Sequence, residues 1–127
     1  MLNIHIKASK TSLTPAISDY VEKKVGSLSR FIDNNETASQ AFVEIEKTTN
    51  HHHDDEGLFR AEVNLHVGKI HLRAEASHRD LYAAIDAVKD ELHRELTTKK
   101  RKAVHMIRKG GQIIKNILKG FNVGKQG

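Results

Sequence analysis

Apolar and polar side chains alternate along the first eight residues. The apolar positions are Leu2, Ile4, Ile6 and Ala8, and the polar positions between them are Asn3, His5 and Lys7. Successive side chains of a strand point to opposite faces of a sheet, so this two-residue period predicts a strand with one buried face.

Helical spacing replaces the alternation after Thr14. Thr14 followed by Pro15 is typical of a helix start, because the threonine oxygen can accept a hydrogen bond there and proline lacks an N–H that would go unpaired. The apolar positions that follow are Ile17, Val21, Val25, Leu28 and Ile32. We predict a helix from Pro15 to about Phe31, ended by the polar residues 33–35.

Three more strands are predicted, and the last two are joined by a tight turn. Ala41, Val43 and Ile45 mark the second strand, and Phe59, Ala61, Val63, Leu65 and Val67 mark the third. If Gly68 and Lys69 form a two-residue turn, the register of the following strand is fixed. The inward pairs are then Val67 with Ile70, Leu65 with Leu72, Val63 with Ala74, and Ala61 with Ala76; the outward pairs are His66 with His71, Asn64 with Arg73, and Glu62 with Glu75.

A long amphipathic helix completes the predicted fold, with Ser77 or Asp80 as its cap. Its apolar stripe is Leu81, Ile85, Val88, Leu92 and Leu96. In the order β-α-β-β-β-α, the first strand must pair in parallel with a neighbour through a right-handed crossover. We therefore predict an α+β fold in which two helices cover one face of a four-stranded mixed sheet and the other face meets solvent.

Composition sets the limits of this architecture. The 127 residues suffice for one domain, which we place at residues 1–105, followed by a basic, glycine-rich tail at 106–127. The chain has no cysteine, so disulfides and thiolate metal sites are excluded and a cytoplasmic location is expected. The N-terminus lacks a signal-peptide core, and no stretch approaches the ~20 apolar residues of a membrane span.

Charge is distributed unevenly along the chain. Residues 1–88 carry 10 Lys and Arg against 13 Asp and Glu, whereas residues 89–127 carry 11 against 3. The net charges of the two parts are therefore −3 and +8. A basic end on an acidic body indicates a polyanionic partner such as RNA; the alternative is a solvated basic tail.

Two segments resemble a known family. The segment DLYAAIDAVKDELHRELTTKKRK, residues 80–102, resembles the signature helix of the ribosome hibernation-promoting factors and ribosome-associated translation inhibitors, and LTPAISDYVEKKV, residues 13–25, is similar to that family's first helix. The resemblance covers about residues 1–105. It implies a fold like that of a double-stranded-RNA-binding domain and, because few residues follow the domain, a short form of the family.

The resemblance also implies a function without catalysis. The protein would bind rRNA in the small ribosomal subunit, occupy the channel used by mRNA and tRNA, and inhibit translation by competing with them. No cofactor, metal, membrane or small-molecule substrate is implied. The expected RNA-binding residues are Lys24, Lys89, Arg94, Lys99, Lys100, Arg101 and Lys102. Glu91, Thr98 and Ser27 stand where the family usually has lysine, so phosphate contacts are expected to shift to Lys89, Lys99 and Arg101.

Other chemistry is suggested by the histidines. His51, His52 and His53, followed by two aspartates, could hold a metal in a metal-dependent enzyme; a solvated loop is the simpler interpretation, because adjacent histidines seldom converge on one ion. His5, His66 and His71 share the open sheet face, where no cleft is expected to support acid–base catalysis.

Two further features leave alternatives open. Phe42 is the only Phe, Tyr or Trp expected on the open face, which favours recognition of RNA shape and phosphates over base reading; a general binder of structured RNA is the alternative function. Residues 113–118 could pack on the domain, fold on a partner or, less favourably, lie on a membrane surface.

Overall fold

The computed structural model of the chain describes residues 2–32, 39–48 and 58–108. The elements follow the predicted order. They are β1 (Leu2–Ser9), α1 (Pro15–Gly26), a 3₁₀ helix (Ser27–Phe31), β2 (Ser39–Thr48), β3 (Leu58–Val67), β4 (Ile70–His78) and α2 (Leu81–Arg108). None of the helices in these ranges is long and apolar enough to cross a bilayer.

The four strands form one mixed sheet in the order β1-β2-β3-β4. β1 pairs in parallel with β2, while β2 with β3 and β3 with β4 are antiparallel. The predicted α+β fold is confirmed. α2 packs mainly across β3 and β4, and α1 lies against β1 and α2, so both helices cover the same face.

The tight turn between β3 and β4 has the predicted register. Gly68 has φ 61°, a left-handed conformation that glycine adopts at little cost. Val67 pairs with Ile70 and His66 with His71. All the other predicted pairs across this hairpin are also present.

The helix starts follow the sequence signals. The Thr14 side chain accepts a hydrogen bond from the Ile17 backbone N–H at 3.2 Å, with Pro15 opening α1. Of the two caps predicted for α2, Asp80 is the one used, because its carboxylate accepts from the Tyr82 N–H at 3.1 Å. The helix end at Phe31 requires correction: the α-helix stops at Gly26 and a five-residue 3₁₀ helix leads to Ile32.

The core lies between the helices and the sheet. Its fully buried large side chains include Leu65 of β3, Leu28 of the 3₁₀ helix, and Leu92 and Leu96 of α2. The aromatic ring of Phe31 packs 4.6 Å from the His93 ring, which joins the 3₁₀ helix to α2. The core therefore fixes α2 along its first four turns.

The last turns of α2 have little core beneath them. After Leu96, only Ala103 is buried among the described side chains. Two residues connect β4 to α2, so the helix must run back over the sheet. Its 28 residues span about 42 Å against roughly 30 Å for β4. The end of α2 therefore extends past the Gly68–Lys69 turn, and the helix continues through the expected domain boundary at residue 105.

Candidate nucleic-acid interface

The charge of α2 reverses along its axis. From Leu81 to Leu96 the helix carries four acidic and two basic residues, whereas from Thr97 to Arg108 it carries five basic residues and no acidic one. The basic end of α2 is defined here as Lys99, Lys100, Arg101 and Lys102.

The basic end points in several directions. Successive residues of a helix are rotated by about 100°, so the four side chains surround the axis. Lys99, Arg101 and Lys102 are exposed and Lys100 is half-buried. Among the described residues, no carboxylate forms an ion pair with any of the four. The basic end therefore presents free positive charge on several sides of a projecting helix.

Arg94 belongs to the same region but has an intramolecular partner. Its guanidinium donates to Glu91 one turn earlier, and this hydrogen bond lowers the pKa of Glu91 and raises the pKa of Arg94. Burial, together with the neighbouring Glu91, raises the pKa of Glu95. The Arg94 side chain remains 69% exposed, so one side of the guanidinium is open to a phosphate.

Two shallow depressions on α2 meet at Arg94 and Thr98. One is lined by Arg94, Lys99 and Lys102 together with Glu91, Glu95 and Thr98. The other is lined by Arg94 and Arg101 together with Asp90, His93, Thr97 and Thr98. The structure therefore brings together four of the predicted basic residues around a single exposed threonine.

Lys24 and Lys89 lie apart from this group. Lys24 Nζ is 3.7 Å from Asp86 Oδ1 and 5.4 Å from the centre of the Tyr20 ring. Lys89 Nζ is 3.7 Å from Asp90. Asp86 precedes Lys99 by thirteen positions, which corresponds to about 20 Å along the helix. Lys24 therefore lies far from the basic end of α2, and Lys24 and Lys89 each lie beside a carboxylate.

Tyr20 contacts both Lys24 and the carboxylate partner of Lys24, which is Asp86. Its hydroxyl donates to Asp86 Oδ1 at 2.7 Å, and its ring meets the Tyr82 ring edge-on at 4.8 Å. The hydrogen bond to Asp86, with burial and nearby acidic charge, raises the pKa of Tyr20 to about 12. This contact between α1 and α2 was not predicted, because the residues are 66 positions apart and no local pattern links them.

The open face of the sheet is not a uniform solvated surface. Arg60 binds Glu46, Glu62 and Glu75, and Arg73 binds Glu62 and Glu75. These contacts leave Glu62 only 9% exposed, contrary to the expectation that this position meets solvent. Although burial raises its pKa, hydrogen bonds from Arg73 and Arg60 bring the pKa of Glu62 below its ordinary value.

In the described ranges, no three His, Cys, Asp or Glu side chains lie close enough together to bind a metal ion. His51, His52 and His53 fall outside the described residues, as do residues 113–118 and the rest of the predicted tail beyond Arg108. His5, His66 and His71 lie on the open sheet face, as their strand positions predicted.

Comparison with known proteins identifies relatives of this chain. Residues 4–104 match the family described as Sigma 54 modulation protein / S30EA ribosomal protein. The ribosome hibernation promoting factor of Azotobacter vinelandii is 33% identical over 103 residues, which cover 81% of this chain and 87% of that protein. The ribosome hibernation promotion factor of Bacillus subtilis is 29% identical over 110 residues, covering 87% of this chain and 54% of that longer protein.

Solved structures agree with these matches. The N-terminal domain of Thermus thermophilus Protein Y superposes with a TM-score of 0.61 at 30% identity, covering 74% of this chain and 94% of that one. A ribosomal subunit interface protein from Coxiella burnetii shares the fold, with a TM-score of 0.58 at 20% identity over 80% of this chain and 99% of that one. The chain belongs to the Sigma 54 modulation protein / S30EA ribosomal protein family, which includes the ribosome hibernation promoting factors.

Proposed function

We propose that this protein is a ribosome hibernation factor that occupies the mRNA and tRNA channel of the small ribosomal subunit. The observation that carries the proposal is the basic end of α2, where four consecutive cations have no carboxylate within ion-pair distance among the described residues. The names of the relatives support a ribosomal partner. Occupation of the channel, without a chemical step, would inhibit translation.

The shape of α2 suits a concave RNA surface. Cations that surround a helix cannot all touch one flat face, but a channel with rRNA phosphates on several sides can contact them together. The projection of α2 past the sheet allows the basic end to reach phosphates on several sides of such a channel. Lys and Arg that neutralise phosphates release condensed counterions, which makes the binding free energy depend on salt.

The remaining predicted residues have lesser roles in this proposal. Arg94 can contact a phosphate through the part of its guanidinium that Glu91 leaves open. Lys24 and Lys89 would contribute at longer range, because each already lies 3.7 Å from a carboxylate. The sheet and α1 would then support α2, and competition with tRNA and mRNA would be the mechanism.

Sedimentation with purified small subunits tests this proposal. The protein should co-sediment with the subunits, and saturating tRNA should displace it. A variant with Arg94, Lys100 and Lys102 changed to Glu should remain in the supernatant. The matched control changes Lys7, Lys10 and Lys47 to Glu; these residues lie at the other end of the sheet, so binding should persist.

Two results would contradict the proposal. If saturating tRNA does not reduce co-sedimentation, the channel is excluded as the binding site. Equal affinity for protein-free duplex RNA and for the small subunit would instead indicate the alternative function, a general binder of structured RNA.

A further inference from the structure

Four rings form a row across the open face of the sheet. His5 and Phe42 stack with their centres 4.9 Å apart and their planes 13° from parallel. Phe42 meets His66 edge-on at 5.6 Å, and His66 lies 4.2 Å from His71. This ring row crosses all four strands, with one ring on each. The pattern of Phe, Tyr and Trp in the sequence does not reveal this row, because three of its four rings are imidazoles, which also stack on bases.

The ring row remains accessible. Phe42 is 43% exposed, although it is a large apolar side chain. His5 and His71 are exposed and lie on β1 and β4, the two edge strands of the sheet. The His5 ring is oriented by a hydrogen bond between its Nε2 and Gln40 Oε1 at 3.0 Å. A planar ligand could therefore extend the stack at the edge of the sheet.

The open face is divided into two halves by charge. In the half that contains the ring row, the outward strand positions carry no carboxylate; they are Asn3, His5, Gln40, Phe42, Asn64, His66, His71 and Arg73. The other half carries two basic side chains, Lys7 and Arg60, and all four glutamates, which are Glu44, Glu46, Glu62 and Glu75, so its net charge is negative. A polyanion would be repelled from the second half and not from the first.

The two halves also lie at different ends of the molecule. The ring row is at the end of the sheet that holds the Gly68–Lys69 turn. The basic end of α2 projects past this same turn, on the opposite face. An RNA strand bound to the basic end of α2 could therefore extend to the ring row, which lies at the same end of the molecule.

We propose that the ring row binds unpaired bases of RNA. Single-stranded RNA is recognised by stacking of bases on Phe and His rings and by hydrogen bonds from amides to base edges. Asn3, Gln40 and Asn64 supply such amides beside the rings. Of the side chains that the structure describes, Phe42 is the only large apolar one exposed in this half, so a protein partner could bury little hydrophobic area there.

Binding of fluorescein-labelled octaadenylate, measured by anisotropy, tests this inference. Phe42→Leu keeps an apolar side chain and removes the ring, so affinity should fall about tenfold or more. Leu58→Ala is the matched control, because Leu58 is also 43% exposed but lies at the other end of the sheet. Its affinity should equal that of the unaltered protein. A duplex RNA of equal charge should bind the Phe42→Leu variant unchanged.

The outcomes separate this inference from the proposed function. The inference stands if Phe42→Leu weakens octaadenylate binding, even when the protein fails to bind small subunits. It is overturned if the unaltered protein does not bind octaadenylate, or if Phe42→Leu binds as the unaltered protein does. The inference is also overturned if the unaltered protein forms a concentration-dependent dimer that Phe42→Leu loses while octaadenylate binding is kept. In that case the ring row would contact a second copy of the chain.

Discussion

Removal of three charges from the basic end of α2 should weaken ribosome binding by roughly two orders of magnitude. The perturbation is Lys100, Arg101 and Lys102 changed together to Gln. Glutamine keeps a long polar side chain and a similar helix propensity, and no ion pair among the described residues is broken. Binding is therefore affected through charge, with the helix preserved.

The magnitude follows from counterion release. Each phosphate contact changes log K by about 0.7–0.9 for each unit of log salt, so one contact contributes about fourfold to fivefold at ~0.15 M salt relative to 1 M. If each of the three cations neutralises one phosphate, their loss weakens binding by roughly 100-fold. The slope of log K against log salt should become shallower by about 2 to 3.

The assay is a titration of labelled protein with small subunits at several salt concentrations. Its control changes Lys7, Lys10 and Lys47 to Gln, which removes the same net charge from the opposite end of the sheet. Circular dichroism checks that α2 remains helical. If the control and the triple variant lose affinity equally, net charge governs binding and the basic end of α2 has no special role. An unchanged salt slope in the triple variant would refute the reasoning as well.

Three further predictions concern single residues. Thr98→Lys adds a cation where both depressions meet, so it should tighten small-subunit binding about fourfold at ~0.15 M salt; equal or weaker binding would show that no phosphate lies near this position. Glu62→Gln should destabilise the fold by about 1–3 kcal/mol at pH 7 in urea denaturation. The folded-state pKa of Glu62 lies below its ordinary 4.5, so this stabilisation is present above pH 4.5 and is lost as the pH falls through the folded-state pKa. The assignment would be contradicted if the difference in unfolding free energy between Glu62→Gln and the unaltered protein were as large at pH 3 as at pH 7. In a spectrophotometric titration, one of the two tyrosines should ionise near pH 12 and Tyr20→Phe should remove that transition; retention of the transition would exclude the hydrogen bond to Asp86 as its cause.

The sequence predicted those parts of the fold that local rules determine. The Thr14–Pro15 start of α1 and the register around Gly68 follow from a side-chain cap and a two-residue turn, and both are confirmed. The predicted end of α1 was five residues too late, because Val25 and Leu28 fit the apolar stripe of an α-helix although the chain tightens into a 3₁₀ helix between them. Helix ends depend on tertiary packing, which periodicity does not encode.

The candidate site was predicted less completely. Charge counting found the basic end of α2, since Lys99 to Lys102 are adjacent in the sequence. It could not show that Arg94 donates to Glu91 or that Lys24 lies beside Asp86, because rotamers and contacts between elements decide these pairings. The burial of Glu62 was missed for the same reason: two arginines from different strands cover it.

The most direct measurement locates the basic end of α2 on the ribosome. The chain has no cysteine, so Thr98→Cys provides a unique attachment point for a hydroxyl-radical probe while all four cations remain. In complexes with small subunits, cleavage should map to rRNA that lines the mRNA and tRNA channel, and Ser12→Cys at the opposite end of the sheet should give a different pattern. Cleavage from Thr98→Cys confined to rRNA outside the channel would contradict the central claim.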